Sequence, residues 1–184
     1  MANQSITDFI KNFGGGTRVN RFNVTGTIGR TSGTGFNDFH VRSASLPAAS
    51  VGAIPINFRG RTVSYPGDRV YLPWSIIVLD ENPNEKKVVG TRTLYGAFHQ
   101  WHESINSHAS NTTRYTNPSN HFSSDVWTVN QLDTNGNKTI RQFRLHNCWP
   151  LAVGPIQLNM DQDNVLNSFA VTMLYSHFTY DDRK

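Results

Sequence analysis

The sequence predicts a mainly β protein: an antiparallel barrel or sandwich with one long flanking α-helix and a short helix near the N-terminus. Apolar and polar residues alternate in many short segments, which is typical of strands that are buried on one face. These segments cluster before and after one helical pattern, and this order indicates a mainly antiparallel sheet. Asn, Ser, Thr and Gly are abundant, as expected of a domain with many turns.

Composition limits the class of protein. The 184 residues are 37% hydrophobic and 16% charged, which suits one domain (residues 1–184) with one core and is unlike a disordered chain. The formal net charge is +4, yet Lys and Arg form no long run, so no basic tail is present for binding nucleic acid. Cys148 is the one cysteine, which excludes an internal disulfide and indicates folding in a reducing cytosol. No apolar run approaches the roughly 20 residues that span a bilayer, so we expect no membrane anchor.

The first predicted element is a short amphipathic helix followed by a glycine hinge, over residues 1–16. Ser5 can cap its N-terminus, and the glycines at 14–16 end it. Four apolar residues recur at the spacing of one helix face: Ile6, Phe9, Ile10 and Phe13. A helix this short is not stable alone in water, so it must dock on its own core or on a neighbouring molecule. The hinge favours the neighbour.

A predicted β-barrel follows over residues 21–180. Its first half is expected to contain strands at residues 21–28, 39–43 and 54–58, a small-residue loop at 44–52, and a return strand through Val63 and Tyr65. Arg59-Gly60-Arg61 turns the chain before the return strand, and Pro66-Gly67 is typical of a second turn. Residues 68–80 are apolar in both alternation phases, which predicts one long strand that is covered on both faces.

The second half begins with the long helix, predicted at about residues 93–108. Its apolar stripe consists of Leu94, Phe98, Trp101 and Ile105. Asn135-Gly136 lies between two β-like runs and predicts a hairpin. The other expected elements are a polar loop at 109–124, hairpin strands at 126–132 and 138–146, a break at 148–150, a strand at 156–160 and a last strand at 167–180.

No strong catalytic motif is present, and we expect no cofactor. His102 and Glu103 start a pattern similar to that of zinc proteases, but Asn106 stands where the second imidazole is required. His99 shares a helix face with Glu103. A zinc-dependent hydrolase that uses His99, His102 and Glu103 is therefore the alternative from another functional class.

Segments spread along the chain follow one another in a recognisable order. They are residues 43–47, 51–54, 58–61 and 66–69 with Trp74 shortly after, then the helix, the hairpin at 131–136, Trp149-Pro150, residues 156–158 and residues 167–175. Over about residues 5–180 the chain resembles the tail tube proteins of contractile-tailed bacteriophages, and the short N-terminal helix agrees with that resemblance.

The resemblance implies a fold and a structural role. Members of the family form hexameric rings that stack into a hollow tube inside a contractile sheath, and the sheets of adjacent subunits join into one inner barrel. It therefore implies a non-enzymatic virion protein, assembled in the host cytoplasm and located in the phage tail inside the sheath. The implied partners are further copies of the chain, the tail sheath, baseplate and tail terminator proteins, and the tape measure protein and DNA in the lumen, contacted non-specifically.

Candidate interface residues come from the resemblance and from apolar segments without an obvious core position. They are Ile6, Phe9, Ile10, Phe13, Leu46, Pro47, Arg59, Arg61, Asp68 and Arg69. We expect the charged members to pair between subunits. Because a DNA conduit should not hold phosphates, Lys and Arg are predicted mainly on the outer wall or in interfaces, around a neutral or acidic lumen. A baseplate-proximal tube initiator and the tube of a type VI-like or other contractile injection device are the alternatives.

Overall fold

A computed structural model describes residues 6–13, 16–29, 35–36, 40–81, 93–113 and 123–182. These residues form two helices and ten strands. The elements are α1 (Ile6–Asn12), β1 (Phe22–Thr27), β2 (Gly35–Phe36), β3 (Val41–Ala44), β4 (Ala49–Phe58), β5 (Arg61–Tyr71), β6 (Trp74–Leu79), α2 (Leu94–Ile105), β7 (Ser124–Leu132), β8 (Thr139–Val153), β9 (Ser168–Leu174) and β10 (His177–Asp182). The prediction of a mainly antiparallel β fold with one longer helix is confirmed.

Most of the strands form one curled sheet. Its strand order is β2-β1-β7-β8-β9-β6-β3, and β10 pairs with β8 beside this path. Strand β3, at one end of the order, also approaches β1 near the other end, so the sheet bends around its core. Strands β4 and β5 pair with each other in a separate two-stranded sheet. The predicted 109–124 loop falls largely outside the described residues.

Helix α2 covers the sheet with the face that the sequence predicted. Its buried residues are Leu94, Ala97, Phe98 and Trp101. The Thr93 side chain caps the N-terminus, because its hydroxyl oxygen accepts a hydrogen bond from the Gly96 N–H at 3.0 Å. The helix ends at Ile105, earlier than the predicted end at residue 108, and Ile105 is only half-buried.

Trp127 on β7 lies at the centre of an aromatic core. Its side chain is fully buried, and its ring centroid lies 4.9 Å from Phe36 and 6.0 Å from Trp74. The ring centroid of Phe98, on α2, lies 6.4 Å from that of Trp127. Gly26 on the adjacent β1 packs so closely that a Cβ there would lie 2.3 Å from the indole. A side chain at position 26 would therefore displace Trp127.

Strand β8 changes partners where the sequence predicted a break. Residues up to Cys148 pair with β7, and residues from Trp149 onward pair with β9. Asn147 has a φ of 56°, and a register shift follows Pro150. The break predicted at 148–150 is wrong because Pro150 lies beside an irregular position, where a strand tolerates the missing N–H. The hairpin predicted at Asn135-Gly136 is present between β7 and β8.

Residues 68–80 are not one strand, contrary to the prediction. Strand β5 ends at Tyr71, and β6 begins at Trp74 after a break at Leu72-Pro73. Strand β6 alternates buried and exposed residues, so the chain itself covers only one of its faces. Pro66-Gly67 is not a turn and lies within β5, at a register shift against β4. Both predictions failed because most apolar residues of β5 are exposed; only Tyr71, at the end of the strand, packs half-buried against the core.

The end of the chain also differs from the prediction. Residues 156–160 form no strand and lie in an exposed loop between β8 and β9. Residues 167–180 contain two strands, β9 and β10, which are separated at Tyr175-Ser176. The Ser176 hydroxyl donates to the His146 carbonyl at 3.1 Å, which ties this bend to β8. Of the three alternating apolar residues, Ile156 packs half-buried against the core, whereas Leu158 and Met160 are exposed.

The buried position of Cys148 predicts an unreactive thiol. Burial raises the pKa of this thiol to about 12, although the backbone N–H of Trp127 acts in the opposite direction. Since the thiolate is the reactive species, we expect negligible reaction with a chromogenic thiol reagent at mildly alkaline pH in the folded protein and full reaction in denaturant. Absorbance of the released chromophore measures the extent of reaction in the folded protein and in denaturant. Rapid labelling of the folded protein would contradict the buried position.

Candidate assembly surfaces

The β4–β5 hairpin is fixed at its base. The carbonyl oxygen of Ala48 accepts hydrogen bonds from the Leu72 N–H at 3.0 Å and from the Tyr175 hydroxyl at 3.2 Å. The Tyr71 ring packs edge-on against Tyr175 at 5.9 Å and Phe178 at 5.5 Å. Beyond this base the ribbon is largely exposed, and the 11 residues of β5 extend about 36 Å at the usual rise of a strand.

One face of this hairpin is apolar and the other is more polar. Directly opposed residues of an antiparallel pair project to the same side, and neighbours along a strand project to opposite sides. The register therefore places Ile54, Ile56, Phe58, Val63 and Tyr65 on one face, which we call the apolar hairpin face. The reverse face carries the pairs Pro55–Ser64 and Asn57–Thr62. The exposed fractions on the apolar hairpin face range from 45% for Val63 to 63% for Phe58.

Within the described residues, the apolar hairpin face is left largely uncovered. An isolated two-stranded ribbon is marginally stable in water, and contiguous exposed apolar patches of this kind mark interaction sites. Burying the exposed part of each side chain contributes on the order of 1 kcal/mol. The sequence prediction found these alternating residues but did not distinguish burial inside the chain from burial against another one.

The four charged candidates lie on the same hairpin. Arg59 and Arg61 flank the tip, and the Arg59 guanidinium lies 5.2 Å from the Phe58 ring centroid. Asp68 and Arg69 lie on β5 next to the register shift. Within the described ranges none of the four forms an ion pair inside the chain. All four side chains are exposed, so their charges face solvent in the single chain.

The Leu46-Pro47 segment is only partly exposed. The predicted loop at 44–52 is shorter than expected, because β4 already begins at Ala49. Leu46 is 41% exposed, whereas Pro47 is buried within the chain. The Trp74 indole N–H donates to the Ser45 carbonyl at 2.7 Å and holds this segment against β6. Leu46 is the member of the pair that can contact another molecule.

Helix α1 exposes the whole of its apolar stripe. The exposed fractions are 80% for Ile6, 63% for Phe9, 68% for Ile10 and 55% for Phe13. The rings of Phe9 and Phe13 stack at 5.0 Å, so they form one aromatic ridge. No residue of α1 is buried. The sequence left open whether α1 docks on its own core or on a neighbouring molecule. The described residues show no docking of α1 on its own core.

A second apolar surface, in the loop between β8 and β9, was missed by the sequence prediction. Its exposed residues are Leu158 at 82%, Met160 at 97%, Val165 at 62% and Leu166 at 70%. Together with polar neighbours they line a groove of about 500 Å³. The alternation through residues 156–160 suggested a strand. The Gly-Pro pair directly before these residues is the signal from which a surface loop could have been inferred.

The histidines of α2 do not converge on one point. The His99 ring packs edge-on against Tyr95 at 4.4 Å, whereas the His102 ring lies 6.0 Å from that of His108. Burial, with smaller contributions from His102 and His108, lowers the pKa of His99. The Glu103 carboxylate accepts the His108 N–H at 2.7 Å. In the part of the chain that the structure describes, no three His, Cys, Asp or Glu residues form a group that could hold a metal ion.

Comparison with known proteins decides the family. Residues 19–181 match the model of the phage tail tube protein family. The chain belongs to this family. It is a structural component of the phage tail, and the predicted relation to tail tube proteins of contractile-tailed phages is confirmed. Within the described residues, neither helix has the length and apolar character needed to cross a membrane.

Individual relatives support the family assignment. The tail tube protein gp19 of Enterobacteria phage T4 is 24% identical over 140 residues, which cover 76% of this chain and 79% of the relative. The tail tube protein of Serratia phage KSP90 is 27% identical over 136 residues, which cover 72% and 68% of the two chains.

Solved structures support the fold. This tail tube protein is similar to a chain of the PVC sheath–tube complex, from an extracellular contractile injection system, with a TM-score of 0.59 and 13% identity over 97% and 99% of the two chains. It is also similar to the tube terminating cap of the anti-feeding prophage, with a TM-score of 0.59 and 14% identity over 91% and 92%.

Proposed function

We propose that this tail tube protein forms hexameric rings that stack into the inner tube of a contractile tail, and that phage DNA passes through the tube when the sheath contracts. The observation that carries the proposal is the apolar hairpin face. A monomer leaves that face in water, whereas contact between stacked copies covers it and repeats in every ring. The role is structural, and no residue of the chain is assigned a catalytic task.

Sheet edges support closure of the ring. Strands β2 and β3 stand at the two ends of the main strand order. An edge strand presents backbone N–H and C=O groups that a strand of another chain can pair with, and pairing removes the risk of unspecific aggregation. We infer that these edges continue into adjacent subunits, so that several sheets form one inner barrel.

The proposed partners are the tail sheath, baseplate, tail terminator and tape measure proteins, and DNA contacted non-specifically in the lumen. Sheath–tube, tube-cap and baseplate assemblies appear among the proteins that share this fold, which supports the protein partners. The relatives detected by sequence are phage proteins, which favours a phage tail over an injection device. We propose a neutral or acidic lumen, with Arg59, Arg61 and Arg69 placed in contacts between subunits.

Electron microscopy of the purified protein tests this function. We expect rings and tubes with an open axial channel, and light scattering after gel filtration should show an oligomer in equilibrium with tubes. Rings that never extend on their own would indicate a tube initiator. A monomer at every concentration, especially one that holds stoichiometric zinc, would contradict the proposal and favour the hydrolase alternative.

A further inference from the structure

We propose that helix α1 of one subunit docks into the groove between β8 and β9 of a second copy. This inference rests on the proposed function, because it requires repeated contact between copies of the chain. The proposal names the two surfaces that meet. This contact is distinct from the one made by the apolar hairpin face.

The apolar stripe of α1 and the groove between β8 and β9 both expose apolar side chains that could cover each other. α1 presents an apolar stripe at the i, i+3, i+4 and i+7 spacing by which helices dock into hydrophobic grooves, and none of that stripe is buried. The groove is lined by Leu158, Met160, Val165 and Leu166 together with the polar residues Gln157, Asn159, Gln162, Asn167 and Ser168. The stacked Phe9–Phe13 pair forms a compact ridge, and the unbranched Met160 side chain can adjust to its shape.

The two surfaces lie in segments of opposite charge. Residues 154–168 contain Asp161 and Asp163 and no Lys or Arg. α1 itself carries one charge of each sign, Asp8 and Lys11, and the basic excess of the N-terminal segment comes from Arg18 and Arg21, which lie between α1 and β1. Complementary charges around an apolar contact contribute little affinity at the surface, but they fix its orientation and disfavour the pairing of like surfaces.

Neither the groove of the same copy nor the apolar hairpin face suits α1 as well as the groove of a second copy. α1 leaves its stripe exposed in its own subunit, so the groove of the same copy does not receive it. The apolar hairpin face is a broad two-stranded surface, which suits a flat partner better than a narrow groove. A seven-residue helix is about 10 Å long and is compact enough for a single loop groove.

Disulfide trapping between copies tests the docking. One variant carries Ile10→Cys and another carries Met160→Cys; the two are mixed, assembled, oxidised and separated by non-reducing denaturing electrophoresis. Cys148 contributes little background because it is fully buried. We expect a dimer band that is several-fold stronger than in a mixture of Lys11→Cys with Met160→Cys, since Lys11 lies off the apolar stripe. A mixture of Ile10→Cys with Ile56→Cys tests the hairpin as the alternative receptor.

The outcomes separate the docking from the proposed function. Tubes that give no dimer with Met160→Cys, or a dimer only with Ile56→Cys, would overturn the docking and leave the tube function intact. A wild-type protein that never forms tubes would overturn both.

Substitution of the stripe gives an independent readout. Phe9→Ser with Ile10→Ser should reduce tube formation at least tenfold while the barrel stays folded, and Lys11→Ser with Asn12→Ser should not. Loss of the folded barrel in the first variant would show that the stripe packs on its own subunit, and wild-type tube yield would show that it docks nowhere.

Discussion

Replacing Ile54 and Ile56 with Asp should abolish tube formation and leave the barrel folded. Both side chains lie on the apolar hairpin face and are about half exposed in the monomer, so the substitutions create no cavity in the core. In the assembly each carboxylate would have to leave water without a partner, at a cost of roughly 2 kcal/mol or more. Two such charges per subunit lower the association constant for each contact by about a thousandfold.

A matched control separates this effect from simple charge. Asn57→Asp with Thr62→Asp adds the same charge to the reverse face of the same ribbon, and we expect tubes from this variant. Sedimentation and electron microscopy measure assembly, and circular dichroism measures folding. Tubes from the Ile54/Ile56 variant, or equal loss in both variants, would contradict the assignment of the apolar hairpin face.

Replacing Trp127 with Ala should produce the largest loss of folding stability. Its ring contacts Phe36, Trp74 and Phe98 and is fully buried, and Gly26 is present to accommodate it. Removal of a buried aromatic side chain leaves a cavity and costs about 3–5 kcal/mol. For a chain of this length that corresponds to a decrease in Tm of roughly 10 °C.

The measurement should use a background that does not assemble, because contacts between subunits also stabilise the fold. Urea unfolding of the Ile54→Asp/Ile56→Asp protein, with and without Trp127→Ala, gives the difference in unfolding free energy. Trp149→Ala is the comparison. Because Trp149 is only half-buried, its removal should lower the free energy of unfolding by less. A loss below about 1 kcal/mol for Trp127→Ala would contradict the central position of this ring.

Patterns that depend on local spacing were predicted correctly from the sequence. The stripe of α2 and the Asn135-Gly136 hairpin both follow from periodicity and turn chemistry over a few residues. Strand β1 was predicted to within a residue at each end. The interface candidates Arg59 and Arg61 were placed at a turn, and the structure has them flanking the hairpin tip.

Errors arose where apolar residues are not covered by their own chain. Val70 and Leu72 suggested a strand buried on both faces, yet they are exposed at the base of the hairpin. Leu158 and Met160 alternate like strand residues, yet they line a surface groove. A single sequence records that a residue is apolar but not which molecule covers it, so periodicity alone cannot separate a core strand from a contact between subunits.

A cryo-EM map of the assembled tube, at a resolution that shows side chains, tests the central claim most directly. We expect Ile54, Ile56 and Phe58 to lie against a neighbouring subunit and to be buried there. A map in which the apolar hairpin face borders the open lumen or bulk solvent would contradict it.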